Sequence, residues 1–324
     1  MKDIAFVVLP GTLLLDLAGP AEAFRLANQR LLRRGQLAAY RLRFIGPQAE
    51  AATSVGATLA QLEPLPDTLP DGATVVLLGQ PSGVESALQR PLPRAWSETR
   101  RWLARVLAPG LADGRLALIS VCAGTLLAAD AGLLAGRRCT THHEMLELLA
   151  KLAPAALIQA NRVFVVDGPV ATSAGVTAGI DLALHLVAEA CGETTAAAVA
   201  QTMVVFQRRG ADDPQRSPLL DGRNHLHPAV HRVQNAVCEH PGHEWDVPAL
   251  AAVAHVTPRH LARLFKDHAG ISPREYVEHV RRGLAEQAIA RGLPTSQAIE
   301  LAGFGTDRQF RRARARGRGQ AVAS

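Results

Sequence analysis

The stretch at residues 245–276 limits the possible folds of this chain more than any other. Apolar residues recur at helical spacing from Val247 to Ala254 and predict a helix that buries one stripe. Thr257 can cap a second helix, and Pro258 takes its first position, where the missing N–H needs no partner. Two such helices joined by a tight turn form a helix-turn-helix.

The second helix is predicted to run to about His268, with Gly270 placed to end it. Its apolar side carries Leu261, Leu264 and Phe265. Its opposite side carries Arg259, His260, Arg263, Lys266 and Asp267. A cationic face on the second helix is what the major groove of DNA accepts. The alternative is an ordinary helical hairpin with a solvated charged face, which also occurs in bundles that bind nothing.

A near-repeat of this pattern, with one extra residue at Gly305, favours DNA binding. The matched pairs are Leu250 and Ala298, Ala251 and Ile299, Ala254 and Ala302, Val256 and Phe304, Thr257 and Thr306, Arg259 and Arg308, and Leu261 and Phe310. Between the repeats, Ser272 and Glu275 predict a capping box, and a helix continues to about Ala290. That helix is about 27 Å long, so it can hold two recognition helices near one DNA turn apart, roughly 34 Å.

These features resemble the AraC/XylS-type transcriptional regulators, whose DNA-binding module is two helix-turn-helix units joined by one helix. The resemblance covers residues 227–316 and implies binding to a double-stranded DNA operator. It implies that the first unit presents Arg259, His260, Arg263 and Lys266 to one major groove. The second unit would present Arg308, Gln309, Arg311 and Arg312 to the next groove.

The second unit departs from the pattern of that family. Arg314 stands at the position that matches Phe265, and Ala313 at the position that matches Leu264. We therefore expect a second unit that is poorly packed or truncated, and a disordered tail at residues 317–324. A regulator that uses only its first helix-turn-helix unit is one alternative.

Charge and length agree with a two-domain DNA-binding protein. A chain of 324 residues exceeds what one core usually organises. The net charge of +6 is modest, but arginines cluster between Arg308 and Arg318, and clustered arginine favours contact with phosphate. The alternative is a solvated basic tail without a partner.

The remaining composition excludes several classes of protein. The four cysteines, Cys122, Cys139, Cys191 and Cys238, show no CxxC spacing, and the group Cys238, His240 and His243 lacks the spacing of known metal sites. We expect no metal and no cofactor. No signal peptide is recognisable and no apolar run is long enough for a bilayer, so we expect a cytoplasmic protein without membrane contact.

Residues 1–206 alternate strand and helix patterns, which predicts a parallel sheet wrapped by helices. Strands are predicted at residues 4–9, 40–45, 74–78 and 115–121, with a hairpin at 163–172. Helices are predicted at residues 19–33, 95–107, 176–191 and 194–206, and from 142 onward. Residues 63–72 predict a loop, and residues 207–226, which lose periodicity, predict an interdomain linker.

One strand of this domain ends on Cys122 and turns at once through Ala123 and Gly124 into a helix. Such an elbow presents the nucleophile in several α/β enzymes. The helix N-terminus there can lower the pKa of the thiol and favour the thiolate. The alternative is a buried, apolar cysteine, since cysteine is among the most buried residue types.

Residues 2–208 resemble the PfpI-like branch of the class I glutamine amidotransferase superfamily. The resemblance rests on LLLDLAGPAEAF at residues 13–24, the Cys122 elbow, GRRCTTHHE at 136–144 and TSAGVTAGIDLALHL at 172–186. It implies an α/β flavodoxin-like sandwich with a small-molecule pocket at the carboxyl ends of the strands. A PfpI-like domain followed by an AraC-type module, here an all-α double helix-turn-helix domain, is the layout of the GlxA-type transcriptional regulators.

The resemblance also implies which residues surround that pocket. Asp16 occupies the position of an acidic residue that lies near the elbow cysteine in the family, and Glu22 is the less favoured candidate. The expected pocket residues are Asp16, Cys122, Ala123, His142 and Gly175.

Catalysis requires more than a thiol. Hydrolytic PfpI-like proteins tend to have a histidine directly after the nucleophile, and isonitrile-hydrating relatives have a threonine, whereas this chain has Ala123. A thiol without a positioned base is weakly equipped for acyl transfer, although His142 or His143 can approach from the following turn. We therefore expect no catalytic residues, and a homodimeric regulator that senses a small metabolite. The alternative is a hydratase or amidase that uses Cys122 with Asp16 and has a degenerate helical domain.

Overall fold

The computed structural model describes residues 1–80, 93–205, 208–211, 213, 215, 225, 227–290 and 292–320, with side chains for all of these except 290 and 317–320. The chain divides into two compact units, Met1–Gln215 and Arg216–Ser324. The N-terminal unit therefore extends past residue 206, where the sequence suggested its end. Most of the expected linker at 207–226, and residues 321–324 of the expected tail, lie outside the described residues.

A mostly parallel sheet forms the centre of the N-terminal unit. In chain order the strands are β1 (Lys2–Val7), β2 (Tyr40–Gly46), β3 (Ala51–Ala52), β4 (Thr58–Leu59), β5 (Glu63–Pro64), β6 (Thr74–Leu77), β7 (Ala117–Val121), β8 (Arg138–Cys139), β9 (Leu157–Ile158), β10 (Phe164–Asp167) and β11 (Val170–Ser173). The order in the central sheet is β10-β11-β7-β6-β1-β2-β5. Neighbours are parallel except β10 and β11, which form the expected antiparallel hairpin. The central strands are buried, so they read as continuous apolar runs.

Helices connect these strands. They are α1 (Leu14–Arg33), α2 (Arg94–Trp102), α3 (Ala108–Ala112), α4 (Gly124–Asp130), α5 (Leu146–Leu152), α6 (Thr177–Cys191) and α7 (Glu193–Thr202). A π-helical stretch, Leu103–Leu107, links α2 to α3, and a 3-10 turn, His143–Met145, precedes α5. Helix α1 packs against both α6 and α7. The predicted flavodoxin-like α/β fold is confirmed.

Two element boundaries differ from the sequence prediction for non-local reasons. Helix α1 begins at Leu14 rather than near residue 19, and Pro20 lies inside it. The loop after the neighbouring strand β6 holds its start, because the Leu13 N–H donates to the Gly79 carbonyl at 2.9 Å. Strand β5 lies within the predicted loop at 63–72 and pairs with the end of β2. Pro64 is tolerated there because the strand is at the edge of the sheet.

The C-terminal unit is helical in its described residues. Its helices are α8 (Pro228–Glu239), α9 (Val247–Ala254), α10 (Pro258–Ala269), α11 (Pro273–Ala290), α12 (Thr295–Leu301) and α13 (Asp307–Gln320). Helices α9 and α10 form one helix-turn-helix, α12 and α13 form a second, and α11 joins them. This is the double arrangement that the repeat predicted. Helix α8 was not predicted; it packs against α9 and α10, and Arg232 donates to the Ala254 carbonyl at 2.7 Å.

Local side-chain caps set the helix ends in the first helix-turn-helix. The Thr257 hydroxyl accepts a hydrogen bond from the His260 N–H at 3.3 Å. Gly270, with φ of +74°, ends α10 in the left-handed conformation. Ser272 and Glu275 form the predicted capping box, with reciprocal hydrogen bonds of 2.7 and 3.3 Å. The boundaries of α10 and α11 thus follow from sequence signals only a few residues away.

Tyr276 anchors the core of the first helix-turn-helix on α11. Its ring is fully buried and meets Phe265 edge-on, with centroids 5.7 Å apart. The residues buried with them are Ala229, Val230, Val233, Val237, Leu250, Ala251, Ala254, Leu261, Leu264, Val277 and Val280. Helices α8, α9, α10 and α11 therefore share one core.

The turn of the second helix-turn-helix is one residue longer. Helix α9 ends at His255, whose φ is +56°, and the matching position in the second unit is Gly303, with φ of +80°. Gly305 then extends the turn before Thr306, whose hydroxyl accepts a hydrogen bond from the Gln309 N–H at 3.2 Å. The insertion shifts the sequence register, but the same type of N-cap starts the recognition helix in both units.

The second unit has a smaller core, yet that core is packed. Phe304 and Phe310 meet edge-on with centroids 5.6 Å apart, and Ala313 is fully buried beside them. Arg314 lies at the surface and pairs with Glu286 of α11, with Nε 3.4 Å from Oε1. The expectation of a poorly packed or truncated unit is therefore wrong, because alanine fills the buried position and arginine extends to solvent. Helix α13 continues to Gln320, into the stretch where a disordered tail was expected.

The two helix-turn-helix units offer a matched test of the difference between their cores. Phe265→Ala removes a fully buried ring, so we expect the free energy of opening of α9–α11 to fall by about 3–5 kcal/mol. Arg314→Ala removes an exposed ion pair at the equivalent position and is expected to cost no more than about 1 kcal/mol. Amide hydrogen exchange of the full-length protein measures both effects. Equal losses in the two variants would contradict the packing described here.

Candidate functional site

Cys122 occupies a strained turn between β7 and α4. Its φ is +55°, a left-handed conformation that is uncommon outside glycine. Its N–H donates to the Ser173 carbonyl at 3.0 Å, and its own carbonyl accepts a hydrogen bond from the Thr141 hydroxyl at 2.8 Å. The side chain is 6% exposed. Neighbouring segments thus hold the turn, and strained backbone of this kind concentrates at functional sites.

The carboxylate of Asp16 lies beside the thiol and is fully buried. Its Oδ1 accepts a hydrogen bond from the Val176 N–H at 2.7 Å, and its Oδ2 accepts one from the Gly79 N–H at 3.1 Å. The Cys122 thiol lies close enough to this carboxylate for each group to shift the pKa of the other. Glu22, the less favoured candidate, is instead at the surface in an ion pair.

Burial controls the electrostatics of this pair. Burial, and to a smaller extent the nearby Asp16 charge, raises the pKa of Cys122 to about 12. The Ala123 N–H at the start of α4 acts in the opposite direction but is outweighed. Burial also raises the pKa of Asp16, against its two backbone hydrogen bonds. Of the two alternatives for Cys122, the structure favours the buried thiol over a thiolate stabilised by the helix N-terminus, because desolvation is the larger effect.

Two glycines close the space around these groups. A Cβ added at Gly79 would lie 2.3 Å from the Asp16 Oδ2 atom, and one added at Gly175 would lie 2.2 Å from the Cys122 Cβ atom. Gly175 also has φ of +96°, which disfavours any side chain there. These positions require glycine because the backbone passes directly over the thiol and the carboxylate.

The other expected pocket residues occupy different positions. Ala123 is buried directly after the elbow. His142 is partly buried, with its ring 4.3 Å from that of His143 and its Nδ1 3.6 Å from Glu144. Burial lowers the pKa of His142. The structure thus brings Asp16, Ala123 and Gly175 to Cys122, while the contacts of His142 run to its sequence neighbours.

Helix α10 carries one set of expected DNA-contact residues on its exposed face. Arg259, His260, Arg263 and Lys266 are all exposed. Leu261, Leu264 and Phe265 face the core. Cationic and apolar residues are therefore on opposite sides of the helix, as a recognition helix requires.

Helix α13 carries the second set. Arg308, Gln309, Arg311 and Arg312 are exposed as well. The Gln309 Oε1 atom accepts a hydrogen bond from the Gly305 N–H at 3.0 Å, and Arg311 pairs with Asp307 at 2.7 Å. Contact of Gln309 or Arg311 with DNA would have to replace these local partners.

An arginine-lined cleft between α11 and α13 was missed by the sequence analysis. Its volume is about 400 Å³, and its lining includes Arg274, Arg281, Arg312 and Arg316. Arg281 donates to the carbonyls of Pro241 and His243 at 2.8 and 2.7 Å. The signal in the sequence was the arginine content of α11, whose position relative to α13 depends on the tertiary fold.

The described part of the chain contains neither a membrane-spanning helix nor a group of metal-binding side chains. None of its helices is both long and apolar enough to cross a bilayer. No three His, Cys, Asp or Glu side chains in these ranges are grouped to hold a metal ion. In the group that the sequence singled out, the Cys238 Sγ atom lies 3.6 Å from the Tyr276 hydroxyl.

Comparison with known proteins separates the same two parts of the chain. The DJ-1/PfpI family matches residues 105–189, and the helix-turn-helix domain family matches residues 250–322. A ThiJ/PfpI family protein from Pseudomonas syringae has a similar fold, with a TM-score of 0.50 and 24% sequence identity, covering 78% of this chain and 90% of that one.

Two relatives are similar to this chain over two thirds or more of its length. The HTH-type transcriptional regulator GbdR of Pseudomonas aeruginosa (strain UCBPP-PA14) is 29% identical over 302 residues, which cover 92% of this chain and 76% of GbdR. The HTH-type transcriptional regulator GlxA of Rhizobium meliloti (strain 1021) is 28% identical over 67% of each chain. This chain is an HTH-type transcriptional regulator with a DJ-1/PfpI domain. Its AraC-type C-terminal domain and GlxA-like layout are as the sequence indicated.

The enzyme alternative has narrower support. Isonitrile hydratase of Pseudomonas putida is 48% identical to the regulator over 77 residues, which cover 24% of this chain and 32% of that enzyme. The similarity to transcriptional regulators extends over most of the chain, so DNA binding is favoured over a Cys122-dependent reaction. The raised pKa of Cys122 agrees with this choice, because only the thiolate is the nucleophile.

The thiol provides a direct test of this electrostatic description. With a pKa of about 12, alkylation of Cys122 by iodoacetamide should be slow at pH 7 and rise about tenfold per pH unit to pH 10, without a plateau. Asp16→Asn removes a charge that raises the pKa and should accelerate alkylation, whereas the exposed control Asp71→Asn should not. The folded, full-length protein is alkylated, and mass spectrometry of its peptides measures the alkylation rate of Cys122. A plateau near neutral pH would show a reactive thiolate and revive the enzyme alternative.

Proposed function

We propose that this regulator binds a specific double-stranded DNA operator through both helix-turn-helix units, and that a small-molecule effector in its DJ-1/PfpI domain controls the binding. This proposal rests on the observation that α10 and α13 have the same type of N-cap and exposed arginines at matching positions. Thr257 and Thr306 cap the two helices, and an exposed arginine follows each cap at Arg259 and Arg308.

The two recognition helices are suited to reading one side of DNA. Arg263 and Arg312 stand one turn further along each helix, and both are exposed. Arginine in the major groove can donate two hydrogen bonds to one guanine. Helix α11 has 18 residues and is about 27 Å long, which suits successive major grooves roughly 34 Å apart. Arginines of the adjoining cleft, such as Arg274, would meet the phosphates between them.

The first unit is expected to contribute more to affinity than the second. Lys266 on α10 is matched by Ala315 on α13, so the second helix has no cation at that position. Gln309 and Arg311 also have local partners to give up. We therefore place the main base contacts at Arg259, His260, Arg263 and Lys266, with a smaller share from the second set.

The effector site is proposed around Asp16 and Cys122, with Ala123, His142 and Gly175. A buried carboxylate beside a buried thiol suits a ligand that contributes a polar group, since burial of a polar or charged group against an apolar surface costs free energy. The effector changes DNA occupancy only if its affinity differs between two conformations of the protein. We further propose that the regulator acts as a homodimer in the cytoplasm, where it reaches DNA.

Binding to DNA from upstream of the regulator's own gene and neighbouring genes tests the proposal. We expect specific binding by the full-length protein that survives scrambled competitor DNA across a salt series. Arg263→Ala should weaken it by about 1–3 kcal/mol if this residue contacts a base, and Arg312→Ala should weaken it less. Arg33→Ala, an exposed arginine at the end of α1, is the matched control and should bind normally. Fluorescence anisotropy with a labelled duplex measures all four proteins.

Two results would change the assignment. Normal operator affinity of Arg263→Ala would remove this residue from the DNA contacts. Binding that disappears with competitor, or at modest salt, would mean that the arginines only hold phosphates without reading sequence. Cys122 chemistry would then become the leading function.

A further inference from the structure

The chain leaves the N-terminal unit through residues 208–215, which lead toward the segment joining the two units. We call the described residues of this stretch the exit segment: Arg208, Arg209, Gly210, Ala211, Asp213 and Gln215. Three of these residues form hydrogen bonds with elements that surround Cys122. A stretch that the sequence suggested to be linker is thus fixed to the domain that contains the proposed pocket.

The first attachment is made by Arg209. Its backbone N–H and its Nε donate to the buried carboxylate of Asp181 at 3.0 and 2.8 Å. Its Nη2 donates to the Thr177 hydroxyl at 2.8 Å. Thr177 directly follows Val176, whose N–H donates to Asp16. The arginine therefore binds the first turn of α6, next to the residue that holds the pocket carboxylate.

The second attachment runs through the backbone of Asp213. Its carbonyl accepts a hydrogen bond from the Val163 N–H at 3.0 Å, and the Val163 carbonyl accepts one from the Ala174 N–H at 2.8 Å. Ala174 precedes Gly175, which lies directly against the side chain of Cys122. A ligand that displaces Gly175 would therefore act on the adjacent residue Ala174. Backbone hydrogen bonds connect Ala174 through Val163 to the exit segment.

The third attachment is the side chain of Gln215. Its Nε2 donates to the Thr141 carbonyl at 2.8 Å and to the Thr140 hydroxyl at 3.1 Å. The Thr141 hydroxyl in turn donates to the Cys122 carbonyl at 2.8 Å. Among the described residues, the buried Gln215 Oε1 atom has no hydrogen-bond partner. An unsatisfied acceptor costs free energy, so this attachment is held with less net stabilisation than a fully bonded amide.

We propose that Arg209, Asp213 and Gln215 couple occupancy of the Cys122 pocket to the chain segment that leads to the DNA-binding unit. This inference rests on the proposed function. The attachments of Arg209 and Gln215 reach Thr177 and Thr141, which are adjacent to a residue that contacts Asp16 or themselves contact Cys122. The attachment of Asp213 reaches Gly175 through Val163 and Ala174. An occupant that shifts either group therefore changes the hydrogen bonds of the exit segment. Such coupling is reciprocal, so a change at the exit segment also changes the environment of Cys122.

Alkylation of Cys122 by iodoacetamide in the full-length protein tests the reciprocal effect. Gln215→Ala and Arg209→Ala should each raise the rate at least about fivefold, the lower end of usual coupling between sites. Arg208→Ala is the matched control: this residue lies in the same segment but pairs with Glu193 at the start of α7. Its rate should equal that of the unsubstituted protein. Peptide mass spectrometry reads Cys122 and Cys191 in the same samples.

Cys191 distinguishes coupling from general loosening of the domain. It lies at the end of α6, away from the pocket end of that helix, and its alkylation rate should be the same in all four proteins. Unchanged Cys122 rates in Gln215→Ala and Arg209→Ala would overturn the proposal. An equal rise at Cys191 would overturn it as well, because the variants would then only destabilise the domain.

The carbamidomethyl group on Cys122 also serves as a defined occupant of the pocket. Modification should change amide hydrogen exchange at residues 208–215 and change the affinity for the upstream DNA duplex, and Gln215→Ala should abolish the effect on affinity. If modification changes neither the specific DNA binding nor the hydrogen exchange at residues 208–215, the coupling is overturned. The proposed function would still stand in that case. Absence of specific DNA binding would remove the proposed function, and the alkylation and exchange results would still decide the coupling within the N-terminal unit.

Discussion

The N-terminal unit depends on one buried carboxylate. Asp16 receives N–H groups from the loop after β6 and from the start of α6, and the thiol at the end of β7 lies beside it. These segments are distant in sequence, and a buried carboxylate is costly without such donors. The hydrogen bonds to this single carboxylate therefore fix where α1 begins and how closely Gly79 and Gly175 approach Asp16 and Cys122. They also explain why Val176 keeps a φ of +51°.

Features set by nearby residues could be predicted from the sequence, and features set by distant contacts could not. The N-cap at Thr257 and the Ser272–Glu275 box were predicted because cap and helix lie within four residues of each other. The proximity of Asp16 to Cys122 followed only from the family resemblance. The sequence left two alternatives open for Cys122, a thiolate favoured by the helix N-terminus and a buried thiol, because the pattern shows the helix N-terminus but not the extent of burial that outweighs it.

The dependence on distant contacts also explains why the second helix-turn-helix unit and the exit segment were misjudged from the sequence. Arg314, at the position that matches Phe265, suggested a poorly packed second helix-turn-helix unit. Whether Ala313 is large enough to fill that core depends on how closely α13 approaches α11. The exit segment was assigned to a linker because it lacks periodicity, while its attachments to Asp181, Val163 and Thr141 use hydrogen bonds that leave no pattern in a sequence. Irregular chain is therefore not the same as unattached chain.

The unequal cores of the two helix-turn-helix units have a consequence for local unfolding. The first core is shared by four helices and contains Tyr276 and Phe265, whereas the buried residues described for the second are three alanines, one isoleucine and two phenylalanines. Segments with less buried apolar surface open at lower free energy. Within the described part of the C-terminal unit, transient opening should therefore begin at α12 and α13, so a protease should gain access to these two helices before it reaches the first helix-turn-helix.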